Sequence, residues 1–227
     1  MIIENLALHN KYHIFKSRRH AGFLLGSFTT FEDFDILFAI PNGGLPVALG
    51  LVEFPLIPRT VIDVLIIRKI QIPGNTEAGM GAVTPDGQIF LNEELMSRLS
   101  ITSYSLEKQI ERAIQQIEKR RREFTSAVEF QVYGKKIIII DDGIASGFSM
   151  LAGAKWLKKL GAEITISVPT APLSSLKRIE PHVEKIICLN IRDRYPFAVA
   201  DAYQNWYDLS MIEAKRYFNE LKDFQPR

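Results

Sequence analysis

Residues 137–149 read Ile-Ile-Ile-Ile-Asp-Asp-Gly-Ile-Ala-Ser-Gly-Phe-Ser, and this stretch decides the fold. Four branched apolar residues in succession leave no polar face, the pattern of a central parallel strand covered on both sides. Asp141 and Asp142 follow at once. Ligands of open α/β sheets bind outside the carboxyl ends of strands, so two acids at that end are placed for chemistry. Ala145 to Ser149 is a short run rich in small and hydroxyl residues, and a helix is predicted over 150–160. Backbone N–H groups at such a helix start can face a phosphate, which the helix dipole also favours. Strand, acid pair, phosphate cradle and helix, in that order, suit a ligand with sugar hydroxyls and a phosphate.

Outward from this stretch the chain alternates. Strands are expected at 36–40, 61–67, 163–168 and 185–189, and helices at 15–26, 45–52, 173–179 and 211–221. Such alternation predicts one domain with a mainly parallel sheet and helices on both faces. Residues 79–83 and 88–91 flank Pro85-Asp86-Gly87, a hairpin signal. Ser105 is expected to cap a long helix to about residue 124, with Leu106, Ile110, Ala113, Ile114 and Ile117 as its apolar stripe. The charged run Glu118 to Glu123 and the basic trio Lys16, Arg18 and Arg19 read as solvated helix faces.

Composition narrows the function. The chain has 227 residues, 47 % hydrophobic, with 28 basic and 26 acidic side chains for a net charge of +2. That balance argues against a dedicated nucleic-acid or membrane-surface protein. The single cysteine, Cys188, lies in the apolar run Lys185-Ile-Ile-Cys-Leu189 and reads as a core thiol. No apolar run approaches the ~18 residues of a membrane span. Glu4, His9 and Lys11 interrupt any signal-peptide pattern, so a soluble, cytoplasmic protein is expected. No Gly-x-Gly-x-x-Gly follows a strand, which disfavours a dinucleotide oxidoreductase. No Cys-His or Ser-His-Asp signature points to a covalent nucleophile.

Two further features join the first. Ala39-Ile40-Pro41-Asn42-Gly43-Gly44 leaves one strand and enters a helix, and adjacent glycines let backbone approach a ligand and form an anion nest. Arg68-Lys69 follows the strand Leu65-Ile66-Ile67 and precedes a segment, Ile70 to Gly79, that Pro73-Gly74-Asn75 marks as a loop. Glu77 is its only ionisable residue.

The run 137–149 resembles the phosphoribosyl-pyrophosphate (PRPP) motif of type I phosphoribosyltransferases, with Ser146 and Ser149 where that motif carries threonines. Pro73-Gly-Asn-x-Glu77, Gly81-Ala-Val83, Leu91-Asn-Glu93 and the Arg19-x-Ala-Gly22 segment are similar to a widespread group within that family. The resemblance implies an α/β type I phosphoribosyltransferase fold over 1–227, with a helical insertion at about 92–127, a flexible loop, and a small hood from about 190–227. It implies Mg²⁺-dependent transfer of 5-phosphoribose from PRPP to a nitrogenous base, with release of pyrophosphate, in a homodimer.

Residue by residue, the resemblance assigns the 5-phosphate to Ala145, Ser146, Gly147, Phe148 and Ser149. It gives the ribose hydroxyls to Asp141 and Asp142, and the pyrophosphate to Asn42, Gly43, Arg68 and Lys69. Asp141, Asp142 and Lys69 would be catalytic. Mg²⁺ would be held mainly by the ligand and water near Asp141 and Asp142. Tyr195 and Phe197 would face the base, among the aromatics of 190–207. Relatives commonly read Pro-Arg-Gly-Gly where this chain has Asn42, and they carry a lysine in the loop that 70–79 lacks. The same resemblance admits a second reading, a non-catalytic PRPP- or nucleotide-binding regulator.

Overall fold

A computed structural model describes residues 1–28, 34–54, 60–73, 75–99, 101–124 and 131–224; of 75–78 and 94 it describes the backbone only. In chain order the elements are β1 (Ile2–Glu4), α1 (Arg18–Phe28), β2 (Ile36–Ala39), α2 (Gly44–Val52), β3 (Val61–Val64), β4 (Arg68–Ile72), β5 (Asn75–Val83), β6 (Ile89–Leu91), α3 (Glu93–Arg98), α4 (Ser103–Phe124), β7 (Lys136–Ile140), α5 (Phe148–Lys159), β8 (Glu163–Pro172), α6 (Leu173–Ile179), β9 (Lys185–Arg192) and α7 (Met211–Lys222).

Six strands form one parallel sheet in the order β1-β9-β8-β7-β2-β3. β7 lies at its centre, and its side chains alternate between two cores as the apolar run requires. Ile138 and Ile140 join the core under α1, α2, α4 and α7. Ile137 and Ile139 join the core under α5 and α6. Each such isoleucine contributes roughly 1.5–3 kcal/mol by leaving water. From β2 the chain winds one way, to β3, and from β7 it winds the other, to β8 and β9. The carboxyl ends of β2 and β7 therefore flank the switch point where open sheets bind ligands. Pairing of Ala39 with Ile140, and a 2.9 Å bond from the Ile40 N–H to the Ile140 carbonyl, set their loops side by side.

Two helices are drawn unusually close beside this point. A Cβ at Gly22 would overlap the Val47 carbonyl, and one at Gly50 would overlap the Arg19 carbonyl. Two glycines thus let α1 lie against α2, with Arg18 at the inner end of α1.

The segment expected to be a flexible loop carries strand pairing. β4 and β5 pair antiparallel, Arg68 opposite Val83 and Lys69 opposite Ala82, and β6 completes a second sheet. Ile70 to Ile72 and Asn75 to Gly79 thus belong to a ribbon, and apolar Ile70 and Ile72 alternate with polar neighbours as its pairing requires; Gly74 lies outside the described residues. The expected hairpin is present: Gly87 takes a φ of +84° and the Thr84 hydroxyl donates to Asp86 Oδ1 at 2.6 Å. β3 ends at Val64, and Leu65 to Ile67 run on as buried extended chain. The cap of α4 is Thr102 rather than Ser105: the Ser105 N–H donates to the Thr102 hydroxyl at 3.2 Å. Cys188 is buried in β9, where burial keeps its thiol protonated. Among the described residues no helix is long and apolar enough to cross a membrane.

Candidate active site

Two cavities open at the switch point and share Ala145. The smaller, about 160 Å³, is lined by Asp141, Gly143 to Met150, and Lys69. The larger, about 740 Å³, is lined by Arg18, Asn42, Gly43, Arg120, Asp142, Phe197 and Trp206, among others.

The loop of the small cavity is held from α6. Gly147, the cap of α5, has a φ of +80°, a conformation that side-chain-bearing residues rarely adopt. The Ser175 hydroxyl donates to the Ala145 carbonyl at 2.7 Å, and Arg178 Nη1 donates to the Ser146 carbonyl at 2.7 Å. Carbonyls are thereby turned outward to α6, while Ser146 and Ser149 keep hydroxyls without a hydrogen bond to any described residue. Such a loop at a helix N-terminus can receive a phosphate.

The acid pair divides between the cavities. The Asp142 N–H donates to Asp141 Oδ1 at 2.8 Å. Asp142 Oδ2 accepts from Arg18 Nε at 2.7 Å, and the Arg18 side chain is only 7 % exposed. Arg18 also donates to the Tyr207 carbonyl at 3.0 Å and stacks on Trp206, Cζ to ring centroid 3.8 Å. The Tyr203 hydroxyl donates to the Asp142 carbonyl at 2.5 Å. Burial and the neighbouring Asp142 charge push the Asp141 carboxyl well above its ordinary range. Burial raises Asp142 too, and Arg18 works against that rise. The pair titrates as a unit, and Asp141 is the member that resists ionisation more.

The residues predicted for pyrophosphate do not all meet. Gly43 lies against Asp142 so closely that a Cβ there would overlap the carboxylate. Asn42 follows a cis Pro41–Asn42 peptide and donates from Nδ2 to the Leu209 carbonyl at 2.8 Å. Arg68 and Lys69, as neighbours on a strand, point to opposite faces. Lys69 lines the smaller cavity, whereas Arg68 turns to α4 and donates from Nε and Nη2 to Gln116 Oε1 at 2.9 and 2.6 Å.

Of the residues expected at the base, Phe197 lines the large cavity. Tyr195 does not: it is 80 % exposed and its hydroxyl lies 3.3 Å from the Ser174 hydroxyl. Trp206 lines that cavity with Phe197, stacked against Arg18. Arg192 is buried at the end of β9 and stacks on Tyr12 at 3.7 Å, with no hydrogen bond to a described residue. Glu77 lies outside the described side chains. Sequence pattern puts two of the site residues, Arg18 and Arg120, on solvated faces; no local signal separates them from ordinary basic helix positions.

Comparison with known proteins agrees with this layout. The phosphoribosyl transferase domain family model matches residues 8–203. The chain belongs to the phosphoribosyl transferase family. Two Mycobacterium tuberculosis proteins, each named "Putative phosphoribosyl transferase" (MT0597 of strain CDC 1551 and Rv0571c of strain H37Rv), are 25 % identical over 192 residues. Those matches cover 83 % of this chain and 42 % of theirs, so the chain spans less than half the length of these relatives. The crystal structure of TT1426 from Thermus thermophilus superposes with a TM-score of 0.69 at 24 % identity, covering 91 % of this chain and 98 % of that one. It is similar in fold. The phosphoribosyl transferase domain therefore has the α/β type I fold that the segment 137–149 implied, and its six-stranded parallel sheet is the frame of the site.

Proposed function

We propose that this phosphoribosyl transferase domain transfers 5-phosphoribose from PRPP to a nitrogenous base and releases pyrophosphate. One observation carries the reading: the acid pair stands between a loop at the N-terminus of α5 and a cavity lined by Arg18 and Arg120, with Ala145 common to both. A ribose with phosphate at one end and pyrophosphate at the other fits that order.

In this reading the 5-phosphate takes the N–H groups and hydroxyls of Ala145 to Ser149, with Lys69 facing it. Asp141 and Asp142 take the ribose 2- and 3-hydroxyls. Pyrophosphate lies over Asn42 and Gly43, and the base packs on Phe197 and Trp206. As the C1 bond breaks, positive charge grows on the sugar and negative charge on pyrophosphate. Carboxylates beside the ring and cations around the leaving group stabilise both, so positioning and electrostatics carry the catalysis. Mg²⁺ fits the donor set, because it takes one or two carboxylates plus phosphate oxygens and water. Asp141 and Asp142 would hold it with the donor, where it would offset leaving-group charge.

The test is incubation with PRPP, Mg²⁺ and a panel of purine and pyrimidine bases while pyrophosphate release is followed. Release dependent on one base is expected. Saturable PRPP binding without turnover on any base would replace the transferase with a binding protein. No PRPP binding would overturn both.

A further inference from the structure

The cation absent at position 42 has a counterpart elsewhere in the chain. Arg120, near the end of α4, donates from Nη1 to Asn42 Oδ1 at 2.7 Å and lines the large cavity with Gly43 and Asp142. Arg68 comes from β4 to the same helix and bonds Gln116, one turn before Arg120. Both guanidinium groups meet neutral amide oxygens, and among the described residues no carboxylate pairs with either. Burial and the nearby Arg68 charge push Arg120 down to about 10, and burial also lowers Arg68. Two like charges held together without a counter-ion favour an anion carrying more than one charge. Arg121, by contrast, turns to the Pro85 carbonyl on the far side of the ribbon.

We propose that Arg120 is a binding residue for the pyrophosphate of the donor, standing with Arg68 where a cation at position 42 would stand. This rests on the PRPP reading above. It makes α4 part of the site, and it explains Asn42, whose Oδ1 holds Arg120 over the Gly43 turn while its Nδ2 is fixed to Leu209.

Calorimetric titration of Arg120→Gln with PRPP, pyrophosphate and ribose 5-phosphate tests it. Affinity for PRPP and for pyrophosphate is expected to fall about ten- to a hundredfold, the range for losing a charge-assisted hydrogen bond. Ribose 5-phosphate should bind as before. Arg120→Lys should retain part of the affinity, and Asn42→Arg added to Arg120→Gln should recover most of it. Equal loss for all three ligands would mean that Arg120 only tethers α4, and would overturn the proposal, as would no loss at all. Wild-type protein that binds pyrophosphate but not PRPP would sink the phosphoribosyl reading and leave this site standing. Wild-type protein that binds neither would overturn both.

Discussion

Gly43→Ala is the sharpest probe of the acid pair. Gly43 has φ −65° and ψ −32°, so alanine fits the backbone, and the exchange alone would favour folding by about 0.4–1 kcal/mol. The added Cβ, however, overlaps the Oδ2 and Cγ of Asp142 and lies 2.9 Å from its Oδ1. The carboxylate must swing away, and the 2.7 Å bond to Arg18 Nε goes with it. A hydrogen bond to a charged group is worth about 1.5–3 kcal/mol, which leaves a net loss of about 1–2 kcal/mol. For a protein of this size that lowers the melting temperature by about 2–8 °C. A ribose site relying on Asp142 should weaken by about five- to thirtyfold for PRPP. Differential scanning fluorimetry and titration calorimetry read the two effects. The decisive control is the same change beside Asp142→Ala, where the added methyl meets no carboxylate. If Gly43→Ala costs as much there, the damage is to the backbone and the argument fails; a coupling above ~0.5 kcal/mol supports it.

Gly147→Ala, at a φ of +80°, should cost about 1–2 kcal/mol and weaken ribose 5-phosphate binding; unchanged melting and binding would refute the strained cradle. Asp141→Asn should stabilise the ligand-free protein, more at pH about 8 than at pH about 4. A buried acid whose folded pKa is raised costs nothing below its unfolded value and destabilises as pH climbs through the raised one. Melting curves across pH check it, and a gain independent of pH would contradict the assignment. Arg18→Lys should lose the stack on Trp206 and weaken the link to Asp142, shifting Trp206 fluorescence and lowering PRPP affinity; an unaltered spectrum would mean that the stack is absent in solution.

What can be read from the sequence is what is local. β7, its acids and its loop form one continuous segment, where strand period, acid position and helix start all show in adjacent residues. Pro41 to Gly44 is legible for the same reason. Arg18 and Arg120 are not, because each reaches the site by helix packing. Arg18 depends on the close approach that Gly22 and Gly50 permit, and Arg120 on where α4 crosses the β2 turn. Basic residues on an amphipathic helix are ordinarily solvated, so pattern alone gives the wrong answer at both. The ribbon β4–β5 escapes for a different reason. Its alternation is visible in Ile70 and Ile72, but Pro73-Gly74-Asn75 reads equally as the hinge of a loop and as the turn between two strands.

That ribbon also explains why Arg68 and Lys69 are adjacent. On a flexible loop, two neighbouring cations would compete for one anion. On a strand with period two they are divided, Arg68 toward α4 and Arg120, Lys69 toward Asp141 and the loop before α5. Lys69 can lie where it does because its partner strand offers Gly79, whose added Cβ would overlap the Lys69 Cγ. The dipeptide thus sends Lys69 to the small cavity beside Asp141 and Arg68 to α4, the helix whose Arg120 lines the large one. A ligand with one anionic group would leave half of this arrangement unused. A sugar with an anion at each end would engage both parts, and this favours the phosphoribosyl donor proposed above.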